Sequence, residues 1–235
     1  MPLLFAPFVG SFLGVLVRRL PLGRPVVLDR SRCEGCGAAL APRDLVPLVS
    51  YAVLRGRCRR CGRAIGRFHP AIELAALAVA AWAVWADPDA AWPDCVLGWG
   101  LLALAWIDRD HMRLPDALTL PLIPAGLAVA WWEDPGLATD HAIAAAAGYL
   151  LFRGVTWTYR RLRGREGLGQ GDAKLLAVAG AWVGVAGLPW VLLGGALAGL
   201  LLAAAQGRRA LGGAPVPFGP PLALALWVVR LHGPG

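Results

Sequence analysis

Eight runs of apolar residues separated by short polar gaps leave this chain few folds to choose from. They cover approximately 2–17, 70–86, 92–107, 117–132, 139–158, 173–187, 189–206 and 218–232. Most fall slightly short of the ~20 residues of a perpendicular membrane span. Gly and Ala recur along them at spacings that let helices approach closely. Composition points the same way: 57% of the 235 residues are hydrophobic and only 16% charged, against about 25% charged in soluble domains. Disordered chains are polar and highly charged, so disorder is excluded as well. The expected fold is an all-α integral membrane protein of about eight transmembrane helices. The break near Gly187–Pro189 is the weakest boundary, and fusion there would leave seven.

The charges fix an orientation. The formal net charge is +8, from 22 Arg, one Lys and 15 acids, with twelve of the Arg between Arg18 and Arg67. Segments 18–69, 108–116, 159–172 and 207–216 hold almost all the Arg, whereas the gaps 87–92 and 133–140 hold acids and no Lys or Arg. By the positive-inside rule the four basic segments are cytoplasmic and the two chain ends face outward. This topology accounts for the basic balance without a nucleic-acid partner. A cleaved signal peptide is not expected, because Arg18 and Arg19 follow the first apolar run, where a signal peptide carries its charge ahead of that run.

The domains are then a first transmembrane helix at 1–17, a cytoplasmic block at 18–69 and a polytopic region at 70–235. The block is too small for a core without a staple. It contains Cys33-Glu-Gly-Cys36 and Cys58-Arg-Arg-Cys61, two CxxC turns separated by 21 residues. Each turn puts two thiolates on one side of a tight loop, and two turns complete a tetrahedron around Zn²⁺. Cytoplasmic thiols stay reduced, which favours a metal over disulfides. Four Cys ligands leave no open position, so the zinc is expected to be structural, with binding coupled to folding. Cys95, at the edge of an apolar run, reads as a small core residue.

Acids at the membrane surface carry the other signal. Asp108 follows the third run in Ile107-Asp-Arg-Asp-His-Met-Arg-Leu-Pro-Asp116, and Asp172 opens the sixth in Gly169-Gln-Gly-Asp172-Ala-Lys174. The topology puts both at the cytoplasmic face, where an ionisable group at a membrane boundary is costly unless paired or functional. Two carboxylates sharing one proton can act as base and acid in peptide hydrolysis. The alternative for either is a helix cap or a solvated charge, and Asp110 and Asp116 take that reading, Asp116 as a cap. Gly169 and Gly171 would let the backbone run close to an extended peptide. Lys174 could pair with a carboxylate or a substrate carbonyl, or snorkel to the interface. Glu73, inside the second run, is a candidate for substrate or partner contact or for an interhelical hydrogen bond.

Taken together these residues resemble the type IV prepilin peptidases, membrane aspartic proteases of the GxGD kind. The resemblance rests on Gly10-Ser-Phe-Leu13 with Arg19-Leu-Pro21, both CxxC turns with Pro47-Leu-Val-Ser-Tyr51 between them, Ile107–Pro121, Glu166–Lys174, and Val216-Pro-Phe-Gly-Pro220. It implies that the short basic leader of a prepilin or pseudopilin, in a type IV pilus or type II secretion system, is cleaved after a Gly at the cytoplasmic face of the bacterial inner membrane. It also implies that the new N-terminal residue, usually Phe, is methylated from S-adenosylmethionine. Asp108, seven residues before Pro115, and Asp172 would be the catalytic pair. The chain departs from the family's pattern at Gly14, where an Asn is usual, and at His69, where an aromatic residue precedes the proline. Relatives that are peptidases alone lack the four-Cys block. A zinc-containing transporter or scaffold would call for mid-membrane acids and repeat symmetry between halves, and the sequence has no such repeat.

Overall fold

In the computed structural model residues 1–26, 31–164, 169–207 and 216–233 are described. Glu166–Leu168 of the second aspartate motif and most of the 207–216 gap lie outside them. Among the described residues the chain is helical, with no strand and two isolated β-bridges. Its α-helices are α1 (Pro2–Arg19), α2 (Val49–Val53), α3 (Phe68–Ala86), α4 (Ala91–His111), α5 (Asp116–Glu133), α6 (Leu137–Arg163), α7 (Gln170–Gln206) and α8 (Gly219–His232). Among the described residues three stretches are long and apolar enough to cross a membrane: Pro2–Leu22, Phe68–Ala86 and Gln170–Gln206. The others combine apolar runs with Asp94 and Asp108 in α4, Asp116 and Glu133 in α5 or Asp140 and Arg153 in α6, while α8 is only 14 residues long.

Two compact units divide the chain, Met1–Ala103 and Leu104–Gly235. In the first, α1 packs along α3. Pro2 opens α1, where its missing N–H removes no helical bond, and Arg18 and Arg19 close it, where cations complement the helix dipole. Trp99 of α4 donates its indole N–H to the Ala76 carbonyl of α3 at 3.0 Å, and Cys95 is fully buried, as a core residue should be.

In the second unit α7 is the central element, packed against α5, α6 and α8. Small residues let α6 and α7 meet backbone to backbone: a Cβ on Gly180 would lie 2.4 Å from the Ala144 carbonyl oxygen. Trp182, 1% exposed, fills the space toward α5 and donates to the Leu122 carbonyl at 2.8 Å.

Although α7 spans 37 residues, it is two helical arms joined at Gly184, whose φ of 64° and ψ of −171° are not helical. The expected boundary at Gly187–Pro189 therefore moves to Gly184. The physical reason lies on α6. Breaking the helix there orphans the Ala181 carbonyl and the Val185 N–H, which would otherwise bond to each other. Consecutive α6 residues take up both: Val185 N donates to Asp140 Oδ2 at 2.9 Å, and His141 Nδ1 meets the Ala181 oxygen at 3.0 Å.

Candidate active site and metal centre

The second unit brings together the two aspartates singled out in the sequence. Asp108 sits on the last turn of α4, which runs on to His111 and so carries Asp108 within the helix rather than just beyond it. Asp172 is in the first turn of α7. Both are buried, at 6% and 8% exposure, and Asp172 lies within electrostatic reach of Asp108. Two acids from different helices, removed from water and within each other's field, are a high-energy arrangement that structure alone does not call for.

Backbone donors hold each carboxylate. Asp172 is the third residue of α7 after its N-cap Gly169, and its carboxylate accepts the Gly169 N–H, as in a capping box. Gly219 donates its N–H to Asp108 Oδ2 at 2.9 Å. A Cβ on Gly219 would stand 2.6 Å from that same oxygen, so no other residue fits without displacing the carboxylate. Gly219 belongs to the Val216–Pro220 stretch recognised in the sequence, but its contact with Asp108 spans 111 residues and no spacing reveals it.

The remaining predicted site residues have neighbours of their own. A Cβ on Gly169 would face Asp172 Oδ2 at 3.1 Å, and one on Gly171 would collide with Leu114 at 2.8 Å. Gly171 thus lets the start of α7 seat against the α4–α5 connection. Lys174 pairs with Asp116. Asp116 is the first residue of α5 and Pro115 its N-cap, so Asp116 serves as an ion-pair partner instead of the expected cap.

In the first unit the Sγ atoms of Cys33, Cys36, Cys58 and Cys61 all lie within 4.8 Å of one another, and Cys33 and Cys61 are 3.9 Å apart. Thiolates at 2.3 Å from one tetrahedral ion are separated by about 3.8 Å, so the donor set fits a bound Zn²⁺. The two turns repeat one design. Gly37 N donates to the Cys33 carbonyl and Gly62 N to that of Cys58, with φ of 69° and 68° at the two glycines. A bridge then closes each loop, Arg32 to Ala39 and Arg57 to Ala64. Backbone N–H groups of Cys36 and Gly35 hold the Cys33 thiol down to about 6. Glu34, inside the first turn, pairs with Arg18 at the end of α1. A Cβ on Gly14 would be 3.3 Å from His69 Nδ1, so the two departures from the family's pattern face each other.

Residues 4–86 match the Bacterial Peptidase A24 N-terminal domain, and residues 95–204 match the Type IV leader peptidase family. A prepilin leader peptidase/N-methyltransferase of Pseudomonas aeruginosa is 38% identical, over 98% of this chain and 89% of the relative. Proteins of the same name from Burkholderia pseudomallei (43% identical, 92% of this chain and 79% of the relative) and Aeromonas hydrophila (37%, 98% and 89%) are also similar. No solved structure matches.

Proposed function

The chain belongs to the type IV leader peptidase family, and we propose that Asp108 and Asp172 are the pair with which it cuts prepilins. Its relatives are prepilin leader peptidases and N-methyltransferases, and this chain is a bifunctional enzyme of the same kind, a protease and an N-methyltransferase. The observation that carries the assignment is the burial of two carboxylates from α4 and α7 within each other's field.

The chemistry follows from that pairing. One carboxylate, ionised, takes a proton from a water molecule as it attacks the scissile carbonyl, while the other, protonated, gives its proton to the carbonyl oxygen; on collapse of the intermediate the first passes its proton to the leaving amine and the second takes its proton back from the diol. The Gly219 and Gly169 N–H groups keep the two carboxylates oriented through this exchange. Gly169 and Gly171 flank the position at which an extended leader peptide would lie. Lys174 sets the rim through Asp116.

The block at 18–69 serves methyl transfer, with Zn²⁺ held by Cys33, Cys36, Cys58 and Cys61 as a cross-link between its two turns. S-adenosylmethionine supplies the methyl group. The peptidase chemistry lies within 70–235, in an eight-span arrangement in which the two arms of α7 count separately. The catalytic face is the cytoplasmic side of the bacterial inner membrane, the side to which the positive-inside rule assigns the Arg-rich segments, and substrates are prepilins or pseudopilins entering as inserted helices. The intact four-thiol cluster favours this bifunctional reading over a peptidase alone.

Mass spectrometry of a prepilin incubated with the purified protein and S-adenosylmethionine tests it. The expected product has lost its leader and gained one methyl group. Leader loss without methylation would leave the peptidase alone.

A further inference from the structure

Glu73 is a carboxylate inside α3, one of the three stretches apolar enough to cross a membrane, and it is 6% exposed. Five residues separate it from the start of α3, about 8 Å along the axis. Its partners are neutral: Glu73 Oε2 accepts the Leu48 N–H at 2.8 Å, and the Ser11 hydroxyl of α1 hydrogen-bonds to the same carboxylate. Among the described residues no cationic side chain pairs with it. A buried carboxylate without a cation is costly to keep, and inside a span such a group marks a binding site whose partner is to be sought.

The surroundings of Glu73 are shaped around it. Gly10 of α1 lies against it so closely that a Cβ there would stand 2.6 Å from Glu73 Cα. The loop residue that donates to it is strained. Leu48 has φ 59° and ψ −48°, and Val49 N bonds back to the Pro47 oxygen at 2.5 Å, the rare positive-φ γ-turn. A branched residue at positive φ costs on the order of 1–3 kcal/mol and persists where the surroundings enforce it, most often at functional sites. Here the enforcing contact is the carboxylate itself. The Pro47–Tyr51 stretch, prominent in the sequence, is thereby fastened over Glu73.

We propose that Glu73, framed by Ser11 and the Leu48 turn, binds the α-ammonium group that leader removal creates at the N-terminus of the mature substrate. This rests on the methyl-transfer half of the proposed function. It supplies what that half otherwise lacks, a group that holds the methyl acceptor. The fit is chemical. Before it gives up a proton to become the neutral amine that accepts the methyl group, the new N-terminus is a compact cation at the head of an apolar helix, and a carboxylate a short way inside an apolar span is its complement in both charge and depth. Leu48 N–H and the Ser11 hydroxyl fix the carboxylate so that a lone pair remains for the ammonium.

The test is a binding measurement, which gives an answer whether or not methyl transfer occurs. A short apolar peptide beginning with Phe is compared, in detergent, with its N-acetylated form, which has the same shape and no cation. Wild type should prefer the free amine by roughly tenfold or more, ~1.4 kcal/mol, and Glu73→Gln should reduce that preference to near unity while zinc content and melting temperature hold. Glu73→Asp should keep part of it. Carbodiimide coupling of the free-amine peptide to the wild-type protein, mapped by mass spectrometry, should label Glu73, and this arm needs no variant to fold. Equal binding of the two peptides by wild type, an undiminished preference in a folded Glu73→Gln, or coupling only to other carboxylates would overturn the proposal. So would a Glu73→Gln change confined to S-adenosylmethionine affinity, which would assign Glu73 to the sulfonium.

Discussion

The four thiols of the first unit come from two loops of identical local design, each complete within a few residues, whereas the two carboxylates of the second come from the end of α4 and the start of α7 and enter each other's field only in the folded chain. The thiol loops are drawn together by hydrogen bonds between near neighbours, Gly37 to Cys33 and Gly62 to Cys58. The carboxylates depend on distant backbone, most of all on Gly219. A local site tolerates change elsewhere in the fold and fails when a ligand is lost. A site assembled from distant elements fails when any close approach that supports it is blocked.

Breaking each site should separate the two activities. Asp108→Asn and Asp172→Asn should each reduce leader cleavage by at least roughly 10²–10⁴-fold, the range for a lost general acid or base, while zinc content and methylation of an already cleaved substrate stay unchanged. Normal processing by either variant would remove the dyad assignment. Gly219→Ala should reach the same chemistry through position alone, because its Cβ falls on the Asp108 carboxylate; cleavage should drop by on the order of 10²-fold. Wild-type turnover there would mean that the Asp108 carboxylate can reorient without cost.

The opposite break is Cys58→Ser. Metal analysis should show zinc loss, and limited proteolysis should open the 31–69 region, with methylation suffering more than cleavage. Full metal retention would end the structural-zinc reading. The smallest effect belongs to Lys174→Ala. The Lys174–Asp116 pair is partly exposed, at 27% and 56%, and such pairs contribute about 0–1 kcal/mol. A shift in melting temperature of no more than a few degrees is expected, and a large loss of cleavage would show that Lys174 touches substrate.

Much of the molecule was legible in the chain because its causes are local. The apolar runs imply helices wherever they occur, and the CxxC-Gly turns need only their own residues to form. The GxGD motif likewise put Asp172 at a helix start, where Gly169 is its cap. The positions of helix ends were less readable. α4 continues through Asp108 to His111, although the chain becomes charged there, because Met112 N–H closes the last turn on the Asp108 carbonyl at 2.8 Å. The break in α7 falls at Gly184 and not at the weak boundary Gly187–Pro189, because Asp140 and His141 stand opposite to take up the severed bond.

The sequence by itself determined the helical, apolar character of the chain, the four thiols of the candidate metal cluster and the two acids of the candidate pair, since periodicity, composition and short spacings are properties of neighbouring residues. Tertiary structure decided which backbone groups hold those acids, why Gly219 and Gly171 must be glycine, where α7 bends and what Glu73 faces. Each of these is a contact between residues far apart in the chain, set by how closely helices approach, and close approach exists only once the helices have packed.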